Sequence, residues 1–155
     1  MAKNFQNGMQ GVFLTAAELT YRGFIVSLTS RNAFGADLLV TDNQCQRTWS
    51  VQVKTNQSTP PNFWLVGAHC ESLKSDSHIY AFVGLKGDQC PSFLVVPSRI
   101  VAANVWKDKA KDGTFYSFSR DTKWDHKKEG WEEAFGEPTA PLAREDDPLA
   151  TAQSD

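Results

Sequence analysis

Apolar residues recur along the chain with two different spacings, and this predicts a chain of both helices and strands. From Met9 to Tyr21 they fall three or four residues apart, which is typical of a helix with one buried face, and Gly23 is a natural stop behind it. The polar residues 1–7 ahead of this helix are expected to be frayed. Phe24–Thr29 is a short β-forming run, and it predicts the first strand.

The stretch from Gly35 to Thr55 predicts a hairpin, and further strand signals follow it. Ala36–Thr41 and Thr48–Thr55 are β-forming runs, and the polar residues 43–47 between them have turn chemistry. Three later apolar runs have the length of strands: Phe63–Val66, Ser77–Leu85 and Ser92–Val96. Helical spacing resumes behind Pro97, and Trp106 is the expected end of that helix. Strands that alternate with helices indicate the α/β class.

Length and composition place these elements in one domain with a tail. Residues 1–135 are enough for one hydrophobic core, whereas residues 136–155 combine prolines, small residues and an acidic cluster, as disordered segments do. No apolar run approaches the length of a membrane span, and the first residues lack the apolar core of a signal peptide. Three cysteines without CxxC spacing fit a reduced compartment, so we expect a cytoplasmic protein.

Polar side chains stand at unusual places on the predicted hairpin. Asp37 begins an otherwise apolar strand, and Gln52 and Lys54 are two residues apart, so they share one face of the second strand. A carboxylate, an amide and an ammonium together can hold a hard divalent cation and stabilise a pentavalent phosphoryl group. A turn aspartate with a solubilising lysine is the competing interpretation. It is disfavoured because a lysine on a central, covered strand needs a partner.

Asp37 followed by Gln52-Val53-Lys54 resembles the PD-(D/E)XK nuclease superfamily, in a variant with glutamine at the second acidic position. Over residues 8–131 the order of elements resembles small bacterial and phage members, with Glu18 on the first helix. The resemblance implies a restriction-endonuclease-like core, a mixed central sheet of about five strands flanked by helices. It also implies an endonuclease that hydrolyses phosphodiester bonds of nucleic acid, DNA rather than RNA, with Mg²⁺ or Mn²⁺, and that works as a homodimer.

The resemblance also assigns roles to individual residues. Its catalytic residues are Asp37, Gln52, Lys54 and Glu18, and its metal ligands are Asp37, Glu18, Gln52 and the backbone carbonyl of Val53. A neutral amide in place of an acid lowers the negative charge of such a site, which weakens cation affinity and favours one metal over two. For Glu18, a solvated surface position on the helix is an equally good interpretation.

Loop residues beside the hairpin supply candidate contacts to nucleic acid. Arg31 lies before the strand that Asp37 begins, where it can bind a phosphate. Asn56 and Gln57 follow the strand of Gln52 and Lys54, where they can hydrogen-bond the backbone of a nucleic acid. Each is explained equally well or better as a solvated loop residue. A zinc site of histidine and cysteine is disfavoured because the candidate ligands lack close pairing: His69, Cys70, His78 and Cys90.

A second function remains open on the sequence alone. The glutamine of the motif and the net charge of −2 favour a catalytically inactive nuclease-fold module that binds nucleic acid or a protein partner. Between Arg99 and Lys128 basic residues outnumber acidic ones and alternate with aromatic residues. That composition fits a surface for phosphate backbones, but it fits a mixed-charge surface over core aromatics better.

Overall fold

The computed structural model describes residues 2–30, 34–58, 62–87, 89–110, 113–124 and 128–136, and only the backbone of residues 2–4 and 110. Arg31 and the tail beyond Gly136 lie outside the described residues. The helices are α1 (Ala2–Tyr21), α2 (Ser98–Asn104) and α3 (Trp131–Phe135), with a 3₁₀ turn at Ala68–Glu71. The strands are β1 (Ile25–Leu28), β2 (Leu38–Thr41), β3 (Thr48–Asn56), β4 (Phe63–Val66), β5 (His78–Lys86), β6 (Gln89–Pro97), β7 (Trp106–Ala110) and β8 (Gly113–Ser119).

Five strands form a mixed central sheet in the order β1-β2-β3-β5-β6. Only the β3–β5 pair is parallel, with Gln52 opposite Tyr80, and the other neighbouring pairs are antiparallel. The chain makes this parallel return through β4 and the 3₁₀ turn, because a tight hairpin can join only antiparallel strands. The predicted α/β class with a mixed, five-stranded central sheet is therefore confirmed. Among the described helices none is long and apolar enough to span a membrane.

The hairpin of β2 and β3 is closed by the turn chemistry that its sequence indicates. Asp42 Oδ1 accepts a hydrogen bond from the Gln46 amide at 2.8 Å, and Asp42 Oδ2 lies 3.2 Å from Arg47 Nε. The backbone amide of Cys45 donates to the Asp42 carbonyl at 3.0 Å. These bonds fix the register of the hairpin, with Leu38 opposite Val51.

Two predictions about element bounds were wrong. The first helix begins at Ala2 rather than at Met9, since the polar residues before Met9 include no proline that would stop a helix. Trp106 does not end a helix but begins β7, because the backbone at Val105 is extended and the following residues pair with β8. The strands β4, β8 and β7 form a separate antiparallel sheet, which the local sequence pattern did not indicate.

Hydrophobic side chains cover both faces of the central sheet. One cluster joins the sheet to α1 and α3 and includes Leu19, Val51 and Phe135. The other joins it to the second sheet and includes Trp64 and Phe82. β5 is buried on both faces for almost its whole length, as its unbroken apolar run predicts. β3 instead alternates, so Gln52 and Lys54 share the face opposite to that of Val51.

Helix α1 lies unusually close to β3 beside Lys54. A Cβ atom on Gly11 would clash with the side chain of Thr55, above all with its hydroxyl oxygen. The Thr55 hydroxyl is itself buried without a hydrogen-bond partner among the described atoms. Gly11 thus allows the helix to approach the strand that carries the motif residues.

This contact predicts a coupled pair of stability changes. Gly11→Ala should lower the free energy of unfolding by about 1–3 kcal/mol, because the added methyl group overpacks against Thr55. In a Thr55→Ala background the same change should raise it by up to about 1 kcal/mol, since alanine favours a helix over glycine. Urea unfolding of the two single variants and the double variant measures this coupling. Equal effects of Gly11→Ala in the two backgrounds would contradict the close approach.

Candidate active site

The backbone of Asp37 is fixed between two strands at the point where β2 begins. Its amide donates to the Val51 carbonyl at 2.8 Å, and its carbonyl accepts from the Thr29 amide at 3.0 Å. The Thr29 hydroxyl adds a bond of 3.2 Å to the same carbonyl. Leu38, the next residue, is fully buried in the cluster under α1, so strand alternation turns Asp37 toward the opposite face.

The carboxylate of Asp37 contacts the predicted motif on β3. Its Oδ2 atom accepts a hydrogen bond of 2.6 Å from Gln52 Nε2 and one of 2.8 Å from the Val53 amide. The structure therefore brings Asp37, Gln52 and Val53 together, as the sequence predicted. The hydrogen-bond partner sets the orientation of the Gln52 amide, with nitrogen toward the carboxylate. Two donors on one oxygen fix the position of the Asp37 carboxylate.

The backbone of Val53 faces the same edge as the Asp37 carboxylate. In an extended strand the N–H and C=O groups of one residue leave the strand on the same side, and the Val53 N–H points to Asp37. β2 begins at Leu38, which pairs with Val51 of β3. Val53 therefore lies past the part of β3 that pairs with β2. The Val53 carbonyl is therefore directed toward the same edge as the Asp37 carboxylate.

Lys54 is half-buried on the same face as Gln52. Burial lowers the pKa of its ammonium group, while the charges of Asp37 and Cys70 partly offset that effect. Within the described residues its ammonium forms no hydrogen bond and no ion pair shorter than 4 Å. A lysine on a covered strand was expected to need a partner. For Lys54 that partner is the nearby charge of Asp37, without a direct contact. An ammonium held in this way can still bind an incoming anion.

The structure does not bring Glu18 to this site. Its carboxylate pairs with Arg22 one turn along α1, at 2.7 Å, and the Arg22 guanidinium lies over the Trp131 ring at 4.7 Å from the ring centre. The α1 residues that border the cavity of Asp37 end at Val12, and Glu18 lies about 9 Å further along the helix axis. The assignment of Glu18 as a catalytic residue and metal ligand is corrected accordingly. The (i, i+4) spacing of Glu18 and Arg22 was the sequence signal for the pair that forms.

The predicted nucleic-acid contacts Asn56 and Gln57 differ in whether the side chain already forms hydrogen bonds within the loop. Asn56 uses its amide to hold the loop: its Nδ2 donates to the Phe63 carbonyl at 2.6 Å, and its Oδ1 accepts from the amide and hydroxyl of Ser58. Gln57 is exposed and lines a depression beside Lys54. Asn7 of α1 lines the same depression. Asn7 was not predicted as a site residue, because the polar residues before Met9 were expected to be frayed.

Three cations of the basic and aromatic stretch make contacts within the protein. Lys107 pairs with Glu71, which raises the pKa of the lysine and lowers that of the glutamate, and Arg99 pairs with Asp76. Arg120 donates to the Ser92 hydroxyl at 3.1 Å and lies over the Trp64 ring. These contacts favour the interpretation of this stretch as a mixed-charge surface over core aromatics.

The oxygen donors around Asp37 are of the kind that binds a hard divalent cation, although they carry only one negative charge in total. Among the described residues no group of three or more histidine, cysteine and acidic side chains is placed to hold a metal ion. The available donors are the Asp37 carboxylate, the Val53 carbonyl and, after rotation of the amide, the oxygen of Gln52. Oxygen donors of this kind suit Mg²⁺ or Mn²⁺, and a single carboxylate favours weak binding of one ion.

The chain is similar in structure to a Holliday junction resolvase from the archaeal hyperthermophile Archaeoglobus fulgidus. The TM-score is 0.46 at 11% sequence identity, and the likeness covers 73% of this chain and 84% of that chain. No protein-family model and no curated protein matches the chain. A TM-score below 0.5 does not by itself carry an activity over to this chain, so its function depends on its own residues.

The electrostatic interaction between Asp37 and Lys54 can be tested without any ligand. In Asp37→Asn the pKa of Lys54 should fall below its value in the wild type, because loss of the negative charge removes an interaction that favours the ammonium form. NMR titration of the lysine side chain in chelator-treated protein measures this shift. Asp76→Asn removes an exposed carboxylate that pairs with Arg99, and it should leave the Lys54 pKa unchanged. An unchanged Lys54 pKa in Asp37→Asn would contradict an electrostatic interaction between the two side chains.

Proposed function

We propose that this protein is a nuclease that hydrolyses phosphodiester bonds of DNA with Mg²⁺ or Mn²⁺. The proposal depends on one observation: the Asp37 carboxylate contacts Gln52 and the Val53 amide at an accessible sheet edge, with Lys54 directly beside them. This arrangement supports the residue roles that the sequence resemblance implies, except for that of Glu18. A homodimer and a cytoplasmic location stay predictions.

Each residue has a distinct part in the proposed reaction. Asp37 and the Val53 carbonyl would hold the cation, which would supply Lewis-acid stabilisation of the phosphoryl oxygens. The Lys54 ammonium binds a non-bridging oxygen of the phosphate and stabilises the charge that develops there as water attacks in line. The attacking water releases its proton to solvent, and the oxygen that leaves the broken P–O bond takes a proton from solvent.

Gln52 positions the carboxylate and limits its affinity for cations. In the described arrangement its amide nitrogen donates to Asp37, where an acidic residue would add negative charge. A cation therefore competes with two existing hydrogen bonds only for Oδ2 of Asp37, and the low charge of the site limits its affinity. Weak, single-ion binding is the expected result.

A non-catalytic module that binds nucleic acid or a protein partner is the second candidate. The observation that favours it is that Gln52 and Val53 already satisfy one oxygen of Asp37 without a cation. In that case Asp37 holds β2 against β3 as a structural residue, and binding of nucleic acid proceeds without cleavage.

A cleavage assay separates the two candidates. The wild type should cut DNA only in the presence of Mg²⁺ or Mn²⁺, on a panel of linear, circular, single-stranded and branched substrates. Lys54→Ala should lose roughly 10²-fold or more in rate, because it removes the charge that stabilises the transition state. Asp37→Asn should lose a similar factor through the cation.

Glu18→Gln is the matched control for this assay, because it neutralises an acidic residue that the structure places away from the site. It should cut at the rate of the wild type. Thermal unfolding checks that all three variants are folded. Metal-independent cutting, or cutting that survives in Lys54→Ala and Asp37→Asn, would contradict the proposal.

A second acid in place of Gln52 should create a stronger cation site. Gln52→Glu turns a hydrogen bond of 2.6 Å into a contact between two carboxylates, so the metal-free variant should be less stable by about 1–3 kcal/mol. Mn²⁺ should bind roughly tenfold more tightly to it than to the wild type and raise its unfolding temperature more. Thermal unfolding over a range of Mn²⁺ concentrations measures both effects.

Gln44→Glu adds the same charge in the exposed hairpin turn and serves as the control. Its stability and its response to Mn²⁺ should equal those of the wild type. An equal response of the Gln52→Glu and Gln44→Glu variants would mean that the cation does not bind at Asp37.

A further inference from the structure

The second sheet, formed by β4, β8 and β7, has one buried face and one exposed face. Its inner face packs on the central sheet through Trp64, Val66 and Phe118, which are all buried. Strand alternation turns the residues between them outward. Four large apolar side chains of this sheet are between 49% and 71% exposed: Phe63 and Leu65 on β4, Trp106 on β7 and Phe115 on β8.

The strand register places these four side chains on the same outer face. Leu65 and Trp106 both pair with Ser117 of the middle strand β8, so one small residue lies between two large apolar ones. Phe115 lies two residues before Ser117 on the same strand. Phe63 lies two residues before Leu65. Because paired residues and alternate residues point to the same side of a sheet, the outer face is one apolar patch across three strands.

The size and the charge of this outer face favour a protein partner over nucleic acid. Its four large side chains expose roughly 400–500 Å², if a fully exposed aromatic ring counts for about 200 Å². Patches of this size on a monomer commonly mark interaction sites. Among the described outward-facing residues of the three strands Asp108 carries the only charge, and it would repel a phosphate backbone. The fitting partner is therefore apolar where it contacts the sheet.

The same face of a second copy meets these requirements. A two-fold axis along the middle strand β8 would place β7 of one copy over β4 of the other, so that Trp106 lies over Leu65 in two equivalent contacts. The small Ser117 side chains at the axis would allow the two faces to approach. The two Asp108 carboxylates would lie at opposite margins, about 10 Å apart across two strand spacings. Two such patches supply most of the roughly 1,200 Å² that the smallest specific interfaces bury.

We propose that the outer face of the second sheet binds the same face of a second copy of this chain, with Trp106 of each copy packed on Leu65 of the other. Pairing of two β7 edges is a poorer alternative, because antiparallel pairing about Lys107-Asp108-Lys109 places like charges opposite each other. An interface of this size is expected to dissociate at micromolar concentrations. The inference depends on the second sheet alone and goes beyond the proposed nuclease function.

Sedimentation velocity of the full chain over a range of concentrations tests this interface. A reducing agent keeps the exposed Cys45 and Cys90 from forming disulfides. The wild type should convert from monomer to dimer as its concentration rises. Trp106→Glu and Leu65→Lys should each raise the dissociation constant of the dimer roughly tenfold or more, because each places a charge against an apolar side chain in both contacts. Trp106→Ala adds no charge and should weaken the dimer too, which covers the case in which Trp106→Glu fails to fold.

A mixture of the two charged variants tests the pairing of Trp106 with Leu65 itself. In a heterodimer of Trp106→Glu with Leu65→Lys, one contact joins the introduced carboxylate to the introduced ammonium, and the other keeps the native pair. The equimolar mixture should therefore associate roughly tenfold more tightly than either variant alone. Tyr21→Ala is the control, because it removes a side chain of α1 that is 88% exposed, and it should dimerise like the wild type.

Three results of these experiments would overturn the inference: a wild type that stays monomeric at every concentration, a dimer that neither variant weakens, or a mixture that associates no better than its components. Titration of a fluorescent single-stranded oligonucleotide in the presence of a chelator examines the other occupant. Binding of the oligonucleotide that Trp106→Glu abolishes, in a wild type without a dimer, would assign the outer face to nucleic acid and overturn the inference as well.

Discussion

The pair of hydrogen bonds on one carboxylate oxygen of Asp37 is the constraint on which the site depends. They join the residue that precedes β2 to the side chain of Gln52 and the backbone of Val53 on β3. An ionised carboxylate with two donors is strongly held, so the two strands stay in register where β2 begins. Lys54 is then half-buried on the same face, close enough to Asp37 for its pKa to respond to that charge. A cation at this place would strengthen an arrangement that hydrogen bonds already define.

The part of this site that follows strand periodicity could be predicted from the sequence. The spacing of Gln52 and Lys54 assigns them to one face of β3, and turn residues between two β-forming runs bring Asp37 beside them. Glu18 could not be placed in this way, because a position on a helix does not tell which neighbour the side chain selects, and Arg22 lies within reach. The second sheet was missed for a related reason: β4 pairs with β8 across more than fifty residues, and local patterns carry no information about such pairing.

The candidate site and the depressions around it carry little charge among their described residues. A glutamine in the motif, a single lysine and cations elsewhere that pair with Glu71 and Asp76 leave little general attraction to a phosphate backbone. The close approach of α1 to β3 at Gly11 holds the helix against the strand that carries Gln52 and Lys54.

Paramagnetic broadening by Mn²⁺ tests the central claim, a cation site at Asp37, most directly. In NMR spectra recorded during a Mn²⁺ titration, the Val53 amide and the side-chain amide of Gln52 should broaden first, and the Glu18 and Arg22 signals should stay sharp. Asp37→Asn should remove the broadening at Val53. Broadening that begins instead at the acidic cluster Glu145-Asp146-Asp147, or that persists at Val53 in Asp37→Asn, would contradict a cation site built on Asp37.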